Sequence, residues 1–306
     1  MEQMLFDDII QFPDEESQRR YNSLVGLDDL KARLNKESEI LLNPQSLAKW
    51  SQEKHGSVLP IISLFHSRHP FFIFCGDVGT GKTTLAETFG DHLAREKNLR
   101  LTLFSLSLNA RGSGNAGEMT NFIATAFHHI KKFTSQFLST DGTYASGCIL
   151  LIDEADALAE SRDTERMEHE DRAGVNSLIQ GLDSMKRDHL PVLIVMCTNR
   201  LGTIDPAVRR RAAAIFQFRR PNETQRYALL KTYLSGTGIE DADLQLIAKL
   251  TGENKQRSYG YTFSDLTQNL LPALVFETYP NDMITKDIVF RLTEKIVPTP
   301  PLNEWK

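Results

Sequence analysis

The chain has 306 residues, 41% of them apolar and 25% charged, an ordinary balance for a globular protein with one large domain or two modest ones. A formal net charge of −5 disfavours a general nucleic-acid binder while leaving room for a local basic patch. No apolar run approaches the roughly 20 residues needed to span a bilayer, and the acidic start, Leu5-Phe6-Asp7-Asp8, lacks a secretory pattern.

Residues 1–20 are charged and read as a short N-terminal arm. Leu24-Val25-Gly26-Leu27 leads into a helical pattern through Leu34, Ile40 and Leu41, broken at Asn43-Pro44. A second helix carries Leu47 and Trp50 and stops near Gly56. Residues 71–75, Phe-Phe-Ile-Phe-Cys, form a first apolar strand. Residues 99–108 form a second, in which the alternation of leucines changes phase at Phe104. After a Gly/Ser loop at 109–117, a helix carries Met119, Phe122, Ile123, Ala126 and Ile130. Strands follow at 148–152, 192–197 and 214–218. Strands alternating with helices predict a five-stranded parallel sheet covered on both faces. Beyond Pro221 the pattern is helical only: Asn222-x-x-Gln225 is a cap-like start, and apolar faces run through Leu230, Leu244, Leu266 and Leu292. The predicted organisation is an arm at 1–20, an α/β domain at 21–220 and a small all-helical domain with its tail at 221–306.

Cys75, Cys148 and Cys197 each sit in or beside a strand-like run, which points to reduced, buried thiols in a cytoplasmic protein. No C-x-x-C or H-x-x-x-H spacing suggests a metal cluster.

The chemistry is concentrated at strand ends. Gly76-Asp77-Val78-Gly79-Thr80-Gly81-Lys82-Thr83 reads G-x-x-x-x-G-K-T, the phosphate-binding P-loop, between a strand and a helix that begins with Thr84. Its glycines let the backbone turn tightly and present N–H groups to phosphates at a helix start. Lys82 would reach the β- and γ-phosphates of ATP and Thr83 would hold Mg²⁺. About 70 residues on, four apolar residues end in Asp153-Glu154. The first acid suits the Mg²⁺ shell and the second suits polarising a water for attack on the γ-phosphate. A solvated strand end is the bland alternative. Asn199 ends the next strand, where an amide can hold that water or touch the γ-phosphate. Arg209-Arg210-Arg211 follows Asp205-Pro206-Ala207-Val208. These arginines read equally as a solvated helix end, a nucleic-acid patch, or a finger inserted into the next subunit's ATP, a contact worth about 10³–10⁵ in rate.

Val25-Gly26-Leu27, the P-loop, Ile149-Leu150-Leu151-Ile152-Asp153-Glu154, Cys197-Thr198-Asn199-Arg200 and Ile204-Asp205-Pro206-Ala207 together resemble an AAA+ ATPase over about residues 22–295. Arg172-Ala173-Gly174-Val175-Asn176 through Gln180-Gly181-Leu182-Asp183-Ser184-Met185-Lys186-Arg187 resembles the pachytene-checkpoint and thyroid-receptor-interactor (Trip-type) branch. The resemblance implies a hexameric remodeller that partly unfolds HORMA-domain proteins. In bacteria it implies a CBASS-type anti-phage operon, where a HORMA protein is separated from a cyclic-oligonucleotide synthase. It implies an ATP site made by Gly76, Val78, Gly79, Thr80, Gly81, Lys82, Thr83 and Thr84, with Val25 and Gly26 beside the adenine, between the α/β domain and a helical lid. Asn199 becomes the γ-phosphate sensor, Arg211 the finger with Arg210 second, and Arg172 an inter-subunit arginine. The family's pore loop falls at Arg111-Gly112-Ser113-Gly114, without the usual gripping aromatic. The position of a common lid arginine falls near Ser264. The roughly 20 residues before the ATPase module are too few for a separate substrate-binding domain, so the pore, the ring face or a partner must present the substrate. The alternative is a DNA-acting AAA+ loader, which the acidic balance disfavours.

Overall fold

The computed structural model describes residues 5–108, 118–137, 146–158, 165–255 and 257–302. In chain order it contains β1 (Asp8–Phe12), α1 (Glu15–Ser23), α2 (Asp28–Leu42), α3 (Gln45–His55), the short α4 (Ser63–His66), β2 (Phe71–Gly76), α5 (Lys82–Lys97), β3 (Arg100–Ser107) and α6 (Glu118–Ser135). These are followed by β4 (Ser146–Asp153), α7 (Glu165–Arg187), β5 (Val192–Thr198), the short α8 (Pro206–Arg209) and β6 (Ala214–Phe218). The last stretch holds α9 (Glu223–Tyr233), α10 (Asp241–Leu250), a π-helical turn at Asp265–Leu270, α11 (Leu271–Thr278) and α12 (Lys286–Lys295).

Among the described residues the sheet has six strands in the order β1-β3-β4-β5-β2-β6. The β3–β4, β4–β5 and β5–β2 pairs are parallel, and β1 is antiparallel to β3. Five of the six are the expected strands. The sixth corrects the sequence reading, because residues taken as an arm form β1 and α1. Phe6 and Phe12 are buried, and Ile9 and Ile10 lie opposite Phe104 and Leu103. The acids that made this stretch look like an arm are used locally: Asp7 accepts from the Ser107 N–H at 2.6 Å, and Asp14 accepts from the Ser17 N–H at 2.7 Å.

The phase change at Phe104 has a simple cause. From Leu103 to Leu106 every side chain of β3 is buried, so its middle is covered on both faces and has no reason to alternate. β2 and β5 are buried along their whole length, and β4 in all but its end residues. The core on one face of the sheet gathers Phe71, Ile73, Leu150 and Ile194 with Ile123, Phe127 and Ile130 of α6 and Leu178 and Leu182 of α7. Gly181 lets α7 lie against α6, since a Cβ there would sit 2.4 Å from the Phe127 ring.

The chain divides into two compact units. One comprises the residues up to Gln217 apart from two short segments. The other comprises those segments, Ser23–Asp28 and Gly76–Lys82, together with the helical residues from Phe218 onward. The division falls between Gln217 and Phe218, and the P-loop and the segment around Val25 fall with the helices. Within that helical unit, Asn222 and Gln225 form the capping box that starts α9. The Tyr261 hydroxyl donates to the carbonyls of Thr293 and Ile296, tying the loop before α11 to the end of α12.

Candidate functional site

The P-loop is built from inside its own unit. Gly79 has φ +73°, and a Cβ there would meet Thr262 Oγ1 at 2.7 Å, so both its conformation and its surroundings demand glycine. The Gly79 carbonyl accepts from the backbone N–H of Ser264 at 3.1 Å. The Asp77 carbonyl accepts from Thr80 Oγ1 at 2.7 Å and from Lys82 Nζ at 2.9 Å, and Lys82 is buried. The P-loop ammonium is thus held inside the loop, where polyphosphate oxygens would replace a neutral carbonyl with charged acceptors. Thr83 and Thr84 follow as half-buried residues in the first turn of α5. In the same unit Gly26 has φ +80°, and its carbonyl accepts from Gln225 Nε2 at 2.5 Å, fixing the Val25-Gly26 segment to the start of α9.

The acids lie in the other unit, at the ends of β4 and its neighbours. Asp153 closes β4 opposite Ser107 of β3 and is half-buried. Glu154 has φ +53°, a left-handed conformation that costs a non-glycine residue about 1 kcal/mol or more. Its N–H donates to Asp153 Oδ1 at 2.8 Å, and its carboxylate accepts from Ser107 Oγ at 2.6 Å. The carboxylate stays exposed and is aimed by a neighbouring strand, which suits a group that must hold a water.

Asn199 follows β5 and owes its place to Asp156, a buried acid in the 3₁₀ turn Ala155–Leu158. Asp156 accepts from Thr198 Oγ1 at 2.5 Å, the Asn199 N–H at 2.9 Å and the Arg200 N–H at 3.1 Å. Sequence reasoning missed Asp156 and Ser107. The run Asp153-Glu154-Ala155-Asp156 was a signal for the first, since a third acid just past a strand end must find donors if it is buried. Ser107 is identifiable only once β3 and β4 are known to be neighbours.

Among the described residues no cluster of three or more His, Cys, Asp or Glu side chains could hold a metal by itself. The donor set of Asp153 and Thr83 fits Mg²⁺, which is commonly held by one or two carboxylates plus substrate phosphates.

The model of the ATPase family associated with various cellular activities (AAA) matches residues 72–220. CD-NTase-associated protein 6 of Escherichia coli (strain MS 115-1) is 43% identical over 97% of this chain and 95% of its own. The chain belongs to the AAA ATPase family. Two solved structures resemble this AAA chain along nearly its whole length. One is the E. coli MS115-1 HORMA:CdnC:Trip13 complex, with TM-score 0.89, 41% identity and 97% coverage of both chains. The other is Rhizobiales Trip13, with TM-score 0.76, 37% identity, and coverage of 97% of this chain and 100% of that one. As an AAA family member the chain is a nucleotide-binding ATPase.

The arginines of this AAA chain differ from one another in their surroundings. Asp205 caps α8 by accepting from the Ala207 N–H at 2.6 Å, with Pro206 at the first helical position. That turn delivers Arg209, Arg210 and Arg211. Arg211 is engaged within its own chain: Nε and Nη2 donate to Asp183 at 2.8 and 2.9 Å, and Nη1 donates to the Ala207 carbonyl at 2.9 Å. His69 Nε2 lies 2.8 Å from the same Asp183. The Arg211 pair, helped by His69, pulls the Asp183 carboxyl down to about 2, while burial lowers the His69 pKa. Arg210 is exposed, and Arg209 Nε is buried without a partner. The pore-loop residues Arg111, Gly112, Ser113 and Gly114 lie outside the described residues, as does the side chain of Arg172.

Proposed function

We propose that this AAA ATPase hydrolyses ATP in a homo-oligomeric ring, a hexamer by resemblance, and uses the turnover to remodel a HORMA-domain protein. The client acts with a cyclic-oligonucleotide synthase in CBASS-type anti-phage signalling. The observation that carries the reading is the likeness, along nearly the full length of both chains, to a chain of the solved HORMA:CdnC:Trip13 complex. We place it in the cytoplasm, which agrees with three buried cysteines that form no disulfide and with the lack, among the described residues, of any helix long and apolar enough to cross a membrane.

Each side chain has a task in this reading. The P-loop N–H groups and Lys82 bind the β- and γ-phosphates, with Val25 and Gly26 beside the base. Thr83 and Asp153 would hold Mg²⁺, which would supply charge neutralisation on the phosphate oxygens. Glu154, aimed by Ser107, orients the attacking water and draws its proton. Asn199, fixed by Asp156, completes the polar end of the site. Arg210 and Arg211 are the candidates for the cation donated to a neighbouring subunit. Arg210 is already exposed, whereas Arg211 must first leave Asp183.

The test is reconstitution. The purified chain is incubated with a labelled HORMA protein bound to its synthase, with ATP or with a non-hydrolysable analogue. ATP-dependent release of the HORMA protein, and no stimulation of turnover by DNA, is expected. A complex that stays intact while ATP is consumed, together with DNA stimulation, overturns the remodelling role in favour of a DNA-acting one.

A further inference from the structure

The second residue of the P-loop, Asp77, brings a negative charge into a loop whose task is to bind polyphosphate. Left unpaired, that charge would oppose phosphate binding. The side chain is 8% exposed. Arg220, just past β6, donates from Nε to Asp77 Oδ2 at 2.7 Å and places Nη2 2.5 Å from the same oxygen. Its third nitrogen, Nη1, donates to the Gly260 carbonyl at 2.7 Å, and the guanidinium lies 5.2 Å from the Tyr259 ring centre. Asp77 Oδ1 also accepts from the Val78 N–H at 3.0 Å and the Leu302 N–H at 3.4 Å. Through its carbonyl the same residue holds Lys82. Asp77 is therefore the joint between Arg220 with the Gly260 loop on one side and the phosphate-binding lysine on the other.

We propose that Arg220 is a positioning residue for the P-loop. It acts through Asp77, cancelling its charge and linking the conformation of the helical unit to the placement of Lys82. The proposal rests on the reading of this loop as the ATP site. All the groups named lie in one compact unit, so the pair belongs to the loop's own framework.

Charge arithmetic gives the two single variants opposite effects on binding, which a purely structural ion pair would not do. Arg220→Met leaves Asp77 unpaired beside the phosphates, and nucleotide affinity should fall by about tenfold or more. Asp77→Asn removes the negative charge and leaves the arginine cation, so affinity should hold or rise. Turnover should still drop in this variant, because the link to Lys82 has lost its strongest contact. Asp77→Asn combined with Arg220→Met should bind better than Arg220→Met alone.

The experiment titrates a fluorescent ADP analogue (mant-ADP) into the full-length protein and the three variants, with thermal unfolding run alongside to confirm that each is folded. The proposal fails if Arg220→Met binds as tightly as the native chain, or if both single variants weaken binding equally and the double variant is weaker still. If the native chain binds no mant-ADP, it is the ATP-site reading that falls, an outcome distinct from failure of the Arg220 proposal.

Discussion

Replacing Asp156 with alanine removes the acceptor for three donors at once. The Arg200 N–H keeps Thr198 Oγ1 at 3.0 Å. The Asn199 N–H donates to Asp156 Oδ2 at 2.9 Å and loses that acceptor, and the space left by the carboxylate is buried. An orphaned buried donor costs about 1–3 kcal/mol, and weakening of the other two brings the loss to about 3 kcal/mol. For a chain of this size that corresponds to a fall in Tm of about 5–10 °C, well within what a folded protein tolerates at 25 °C. The functional loss should be larger in proportion. In the proposed mechanism Asn199 sits where it can touch a γ-phosphate or its attacking water, and a misplacement of about 1 Å can cost on the order of 100-fold in rate. The bonds that Asp156 accepts come from the turn after β5, so nucleotide affinity should change little. The assay is phosphate release at saturating ATP, with Tm and mant-ADP affinity measured on the same preparation. Asp156→Ala with native kcat, at a temperature where it is folded, would refute the claim that Asp156 positions the Asn199 turn.

Two further expectations concern the Arg211 cluster. Arg211→Ala should lower stability, because it breaks a bidentate pair with Asp183, whereas Arg210→Ala, at an exposed position, should leave stability within about 0.5 kcal/mol of native. If either arginine acts on a neighbour's nucleotide, mixing that variant with Lys82→Ala subunits should restore part of the turnover; the absence of complementation for both would remove the trans role. Asp183 has a folded pKa of about 2 against an unfolded value near 3.9, so the unfolded state binds more protons between the two. Its contribution to stability is complete above about pH 4 and is lost as pH falls towards 2. The stability difference between the native chain and Asp183→Asn, measured by denaturant unfolding, should therefore shrink over that window; a difference constant down to pH 2 would contradict the assignment.

Much of the fold was legible because β2, β4 and β5 are continuous apolar runs, each ending in the residue types that carry chemistry. The cap of α9 was legible because Asn222 and Gln225 are local partners. β1 was hidden because five residues flanked by acids carry no period, and its pairing partner is a strand about a hundred positions away. The same limit applies to the site. Lys82, Asp153 and Glu154 announce themselves by motif, whereas the groups that hold them do not. Ser107 is 47 positions from Glu154, and Arg220 is 143 positions from Asp77. Such pairings exist only after strands are ordered and loops are closed. Asp77 also shows that a variable P-loop position can carry a specific partner, which no spacing rule reveals.

The reading of the chain as a hydrolysing ATPase rests above all on Glu154, held at φ +53° and aimed by Ser107. Measuring both ATP turnover and mant-ADP affinity for Glu154→Gln tests it directly. Turnover reduced by at least about 100-fold with affinity unchanged is the expected result. Native turnover in that variant would show that the water is activated elsewhere and that the site has been misassigned.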